Sequence, residues 1–181
     1  MEKLKKDFFF GNIVLKNFIN LDDEEKEITR TLRNNELVRE WCYHEHIIST
    51  GEHIPFIENL KKDNSNFYWL VKRNDEFIGV ISLNRVDFEN KNSYLGIYSN
   101  FKIRKVGDLL IDCLKKVTFE VANLHTLKLE VIEDNKKALN LYKKAGFKKE
   151  GELKDFVFKN GRYKKVILMG IINNNENRNS K

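Results

Sequence analysis

The sequence predicts a mixed α/β domain: a central sheet of about seven strands with helices on its faces. Three observations carry that expectation. The chain has 181 residues, enough for one domain with a real core and too few for two ordinary ones. Apolar residues make up 41% and charged residues 33%, the balance of a globular chain rather than a disordered or membrane-embedded one. Period-two runs alternate with segments of helical spacing, in the order strand, helices, three strands, helix, strand, helix, two strands.

Taken in order, Ile13, Leu15 and the flanking aromatics read as a first strand. Asp22-Asp23-Glu24-Glu25 opens a helix, with acids where the macrodipole favours them. Helical character runs on, with breaks, through Leu32, Leu37, Val38 and Trp41. A second helix follows Ser49-Thr50, and Pro55 fits only in its first turns. Residues 67–71 and 77–83 are strands joined by Arg73-Asn74-Asp75-Glu76, a hairpin signature. Residues 93–98 give another strand. Val106, Leu109, Leu110, Cys113, Leu114, Val117 and Val121 recur at helical spacing. Residues 126–132 alternate as a strand, and Ala138, Leu141, Tyr142 and Ala145 form one helical stripe over 135–145. Residues 147–153 and 163–172 are the closing strands. One domain is expected over 1–172, followed by a polar, disordered tail over 173–181.

Charge and cysteines narrow the class. The 33 basic and 27 acidic residues give a net charge of +6, spread along the chain as solvated faces or as a basic surface attracting polyanions. No Lys/Arg block with interleaved aromatics appears, so nucleic-acid binding has little support. Cys42 and Cys113 stand far apart in apolar contexts, as free thiols of a reducing, cytoplasmic compartment. Lys3, Lys5 and Lys6 ahead of Phe8-Phe9-Phe10 superficially resemble a leader. Asn12, Lys16 and Asn17 interrupt the apolar run, so a strand is expected there. No apolar run is long enough to span a membrane.

Two segments point to chemistry. The first is Tyr94-Leu95-Gly96-Ile97-Tyr98 followed by Arg104-Lys105-Val106-Gly107-Asp108-Leu109-Leu110. A strand, a basic turn with glycine and a helix N-terminus make an anion site, where backbone N–H groups and the helix dipole face a pyrophosphate. Alone, a glycine at a helix start is more often structural. The second is Asn135-Lys136-Lys137-Ala138-Leu139-Asn140-Leu141-Tyr142-Lys143-Lys144-Ala145-Gly146-Phe147. Asn135 and Tyr142 are seven residues apart and share one helix face, and Gly146 ends the helix.

The string Asn-x-x-Ala-x-x-Leu-Tyr-x-x-x-Gly-Phe, preceded by a strand–Arg-x-x-Gly–helix unit, resembles the Gcn5-related N-acetyltransferase superfamily over nearly the whole chain. That resemblance implies a mostly antiparallel sheet, acetyl-CoA as co-substrate and no metal. It implies that Ile103, Arg104, Lys105, Val106, Gly107, Asp108 and Leu109 hold the CoA pyrophosphate. Leu95, Gly96, Ile97 and Tyr98 would pair with pantetheine, Asn135 would bond the pantetheine arm, and Tyr142 would protonate the departing thiolate. One position departs: a second small residue is usual two positions after the glycine, and Leu109 stands there.

Within that superfamily, Leu32-Arg33-Asn34, Trp41, Tyr43, His53, Phe56, residues 94–98, 127–131 and 150–155 resemble the pseudaminic-acid pathway acetyltransferases of flagellin glycosylation. Those enzymes acetylate the 4-amino group of a UDP-linked 4-amino-4,6-dideoxy-N-acetyl-altrosamine. The likeness implies that Arg33, His53 and Tyr98 line the sugar-nucleotide site, with Glu130 near the amine. A UDP-sugar suits Arg33 as a bidentate donor and Trp41 or Tyr43 as a stacking face.

Each residue also has a plainer reading. Arg33 can be a helix-surface ion pair, His53 a histidine packed on Trp41, and Glu130 a strand carboxylate paired to Lys128 or Lys148. His44-x-His46 lacks a third ligand at metal-binding spacing. A protein N-terminal or polyamine acetyltransferase, the latter with Glu36, Glu40 and Glu45 as acidic walls, is the alternative enzyme. A ligand-sensing domain without turnover is the alternative outside catalysis. Neither sequence nor resemblance decides between monomer and homodimer.

Overall fold

Gly11, at φ 62°, turns the chain between β1 (Phe8–Phe10) and β2 (Ile13–Asn17), so the N-terminal aromatics form a hairpin where one strand was expected. The sheet therefore has eight strands. It was obtained as a computed structural model, which describes residues 2–173. The remaining strands are β3 (Phe67–Arg73), β4 (Glu76–Asp87), β5 (Asn92–Ser99), β6 (Thr126–Ile132), β7 (Lys148–Lys159) and β8 (Arg162–Ile172), in the sheet order β1-β2-β3-β4-β5-β6-β8-β7. Every neighbouring pair is antiparallel except β5 and β6, which run parallel. Asn74 and Asp75 take positive φ at the β3–β4 turn, and Asn160-Gly161 does the same between β7 and β8, the geometry of tight hairpins.

The helices are α1 (Asp23–Asn34), α2 (Glu36–Arg39), α3 (Thr50–Leu60), α4 (Gly107–Lys115) and α5 (Lys136–Lys144). Asp22 and Glu25 form a capping box at α1, and Glu25 also binds Lys16 of β2 at 2.5 Å and Lys72 of β3 at 2.7 Å. One carboxylate thus starts the helix and fixes it to the sheet. The helical character beyond Asn34 breaks at Asn35, which caps α2, and Trp41 lies past the helix. α4 runs on through a π-helical stretch, Lys116–Val121.

Strand alternation sorts the core onto two faces. Trp69 and Val71 of β3 pack in a cluster with Leu110, Ile111 and Leu114 of α4 and Tyr142 of α5. Leu70 between them packs with Leu32 of α1 and Ile57 and Leu60 of α3. So α4 and α5 cover one face and α1 and α3 the other. Asn173, expected to open the polar tail, is buried, and its N–H bonds the His125 carbonyl at 2.8 Å. Residues 174–181 of that expected tail lie outside the described residues. No helix among the described residues is long and apolar enough to cross a membrane.

Candidate active site

The two parallel strands part. β5 and β6 pair only through Asn92, Ser93 and Tyr94 against Thr126, Leu127 and Lys128. Beyond that point β5 stays bonded to β4 out to Ser99, and β6 stays bonded to β8 out to Ile132. Each strand therefore leaves one edge of N–H and C=O groups open toward the gap, including residues 95–98 expected to pair with pantetheine. The gap runs between the α4/α5 face and the α1/α3 face.

On the α4/α5 face, α4 differs from its fellows at its start. Asp22, Asn35 and Asn135 cap α1, α2 and α5 with side-chain oxygens, and Glu52 folds back onto Ser49 at α3. α4 begins after Val106, which offers no side-chain cap, so its first amides stay available to an anion. Arg104 and Lys105 are exposed beside it, with Lys105 at φ 59°. Asp108 is held by Lys144 at 2.8 Å, and Leu109 packs on the core. A Cβ on Gly107 would stand 2.8 Å from Leu141 Cδ2, so the missing side chain lets α4 start close against α5. Gly96 likewise lies against Ser82, whose Oγ would be 2.4 Å from an added Cβ.

Asn135 Oδ1 accepts the Ala138 N–H at 3.0 Å, which makes this residue the N-cap of α5. Its amide nitrogen makes no hydrogen bond among the described residues. Tyr142 is 7% exposed, with its ring edge-on to Phe147 at 5.8 Å. Burial alone raises its pKa well above the usual phenol, with no hydrogen bond contributing. Among the described residues the fully buried, unpaired side-chain polar atoms are Arg33 Nη1 and Ser93 Oγ, so the Tyr142 oxygen reaches an opening.

The other face gathers the residues expected at the acceptor, in three places. Glu130 receives the Tyr43 hydroxyl at 2.7 Å on one oxygen and the Arg85 guanidinium at 2.7 Å on the other. Arg85 also lies over the Tyr94 ring, 3.7 Å from its centroid. Lys128, offered above as a partner for Glu130, pairs instead with Glu150 at 2.9 Å. Arg33 donates from Nη2 to the His44 carbonyl at 3.3 Å and is close enough to Tyr98 to offset part of the burial that raises its pKa. Its Nη1 is sealed from solvent and has no acceptor among the described residues. Trp41, 38% exposed, shares a cleft of about 280 Å³ with Arg39, Glu45, Ile132, Asp134 and Lys159.

His53 is placed differently from expectation. It is 5% exposed, wedged between α1 and α3, with its ring stacked on Phe56 at 6.2 Å rather than on Trp41. The Thr29 hydroxyl donates to the Lys26 carbonyl, so Nε2–H of His53 donates to Thr29 at 3.0 Å. Burial lowers its pKa. A side chain so enclosed supports the α1–α3 packing and lacks a free face for a sugar nucleotide.

Two residues escaped the sequence reading. Arg85 reaches Glu130 because a register shift between Asn84 and Asp87 breaks the β4–β5 ladder and puts Arg85 at φ 52°. Lys159 is buried at a hairpin end, where a lysine is ordinarily solvated. Neither carries a sequence signal beyond the neighbouring turn residues. No group of three or more His, Cys, Asp or Glu side chains among the described residues is placed to hold a metal ion.

The Acetyltransferase (GNAT) domain family matches residues 18–168. The acetyltransferase PseH of Campylobacter jejuni is 36% identical over 146 residues, which span 81% of this chain and 91% of that one. The crystal structure of PseH in complex with acetyl coenzyme A superposes with a TM-score of 0.69 at 26% identity, covering 88% of this chain and 98% of that one. Spermidine N-acetyltransferase from Vibrio cholerae, in complex with CoA and spermine, superposes with a TM-score of 0.82 at 25% identity, over 90% of this chain and 96% of that one.

Proposed function

This chain belongs to the GNAT acetyltransferase family, and from that premise we propose that its acceptor is the 4-amino group of a UDP-linked amino-dideoxy sugar, in pseudaminic acid biosynthesis for flagellin glycosylation. The enzyme class is an acetyl-CoA-dependent N-acetyltransferase. The observation that carries the acceptor is the 36% identity with the acetyltransferase PseH over 81% of this chain and 91% of that one, with the Arg33 guanidinium beside Tyr98 on the acceptor face. A guanidinium, with its paired donors, is the natural complement of a diphosphate.

A polyamine acceptor is favoured by the superposition on the V. cholerae enzyme and by the exposed Glu36 and Glu40. Against it, the other acids at this face are already neutralised: Glu45 by Lys159, Glu130 by Arg85, and Asp134 by Lys164 and Arg162. A polycation would have to displace internal cations to use them.

In the reaction the acceptor amine attacks the thioester carbonyl, its C–S bond breaks, and the thiolate takes a proton. Residues 95–98 and the uncapped amides of α4 would orient the donor, with Asn135 on its pantetheine arm. Tyr142 stays protonated because it is buried, and would supply the thiolate's proton. The amine's proton would leave through Glu130, directly or by water. The two unpaired thiols suit a cytoplasmic enzyme.

The test is turnover at equal concentration with a UDP-4-amino sugar, spermidine and an N-terminal peptide. The sugar is expected to be the best acceptor. Arg33→Ala should raise its KM roughly tenfold or more, the worth of one hydrogen bond to a charged group, and leave KM for acetyl-CoA unmoved. Better turnover of spermidine or peptide would overturn the acceptor assignment and leave the enzyme class standing.

A further inference from the structure

Lys159 ends β7, just before the Asn160-Gly161 turn, with only 7% of its side chain exposed. An ammonium has three protons to donate, and this one directs its bonds at a single segment. It donates to the carbonyls of Arg39 at 3.4 Å and Glu40 at 2.7 Å and to the Glu45 carboxylate at 2.5 Å. The segment it grips runs from the last residue of α2 to Glu45; beyond Arg39 it forms no regular element and carries Trp41 and Tyr43.

The same segment is tied on its other side to α1 and α2. Arg33 donates to the His44 carbonyl, Arg39 to that of Glu45, and Arg30 and Asn34 to that of Ile48. Toward the sheet it is tied by Lys159 and by the Tyr43–Glu130 bond. The hairpin bearing Lys159 is itself fixed to Asp134, which Lys164 and Arg162 bind one residue ahead of the α5 cap. Burying an ammonium merely to pack a hairpin would be a poor choice, because an apolar side chain of similar volume does that without desolvation. The arrangement makes sense if the object held is the backbone of the segment.

We propose that Lys159 is a positioning residue for the acceptor: it clamps residues 39–45 to the β7–β8 hairpin and so fixes Trp41 and Tyr43 beside the open half of β6. The proposal rests on the acceptor reading above for what those two rings meet. The clamp itself does not depend on it.

The protein carries its own reporter. Its two tryptophans are Trp69, fully buried at 0%, and Trp41 on the clamped segment, so collisional quenching by acrylamide reads the segment selectively. Lys159→Met should increase quenching and raise KM for the acceptor about tenfold, with KM for acetyl-CoA nearly unchanged. Lys159→Arg, which keeps charge and donors, should restore much of both. Glu45→Gln, which removes one partner and leaves the two carbonyl bonds, should shift both readouts the same way by less. Unchanged quenching in Lys159→Met overturns the clamp. Raised quenching with an unchanged acceptor KM overturns the positioning role, and so does a parallel rise in both KM values. Failure of the acceptor reading looks different: the unmutated enzyme would not turn over the UDP-amino sugar, and the KM comparison is then made with spermidine.

Discussion

The Tyr142 hydroxyl forms no hydrogen bond among the described residues, while the ring packs edge-on against Phe147. The ring and the hydroxyl are thus separable by mutation. Tyr142→Phe should keep the melting temperature and lower kcat by a factor on the order of 10² to 10⁴, the usual worth of a positioned acid. Near-native kcat in a folded variant would make Tyr142 a packing residue. His53 makes a prediction in pH. Its folded pKa is lowered by burial, so between that value and the ordinary 6.5 the unfolded chain binds the extra proton. This contribution to stability is whole above pH 6.5 and is lost as pH falls toward the folded pKa. His53→Gln should remove that loss, so melting curves of the two proteins should converge or cross as the pH is taken from 7 to 5, well above the window in which the paired Glu25 protonates. Parallel curves would sink this account of His53. Both roles sat half-visible in the sequence. The motif around Tyr142 marked that residue, whereas a histidine within a helix reads alike whether it meets Thr29 or a phosphate.

Among the elements, α4 and α5 meet where Gly107 faces Leu141. Gly107 does not take positive φ, so alanine there is conformationally acceptable and a better helix former. Its methyl group, however, would press on Leu141 Cδ2. Gly107→Ala should therefore weaken CoA binding in calorimetric titration by displacing the amides of the first turn, and adding Leu141→Ala should restore it by opening the space. A loss that Leu141→Ala fails to rescue would mean that Gly107 serves something other than this contact. The bounds of β6 and α5 were legible because each has a clean period and, for α5, a cap and a terminal glycine. β7 was not. It runs to Lys159, six residues beyond the expected end, because its outer half pairs with β8 past the end of β6 and lacks a period-two apolar face to announce it. The β4 irregularity that aims Arg85 depends on a register between strands, which no single segment encodes.

Over the whole molecule, the apolar pattern was enough to foresee a sheet covered on its faces, and the residues along β6 show why. Leu127, Leu129 and Val131 belong to the α4/α5 core, so Lys128 and Glu130 must look to the other side, where Tyr43 and Arg85 wait. What alternation could not foresee is that the sheet is nearly cut in two. Strands β1 to β5 and strands β6, β8 and β7 share only three residue pairs along their common border. The two half-sheets are otherwise joined by the chain crossing through α4, by packing on that face, and on the other face by the bonds of Arg85 and Tyr43 to Glu130 and of Lys159 to residues 39–45. A molecule built this way carries an unfinished seam through its middle. An extended, amide-bearing ligand lying along the seam would supply missing rungs to both halves at once. Filling the seam would then also stiffen the protein, and emptying it at each turnover would return the looser form.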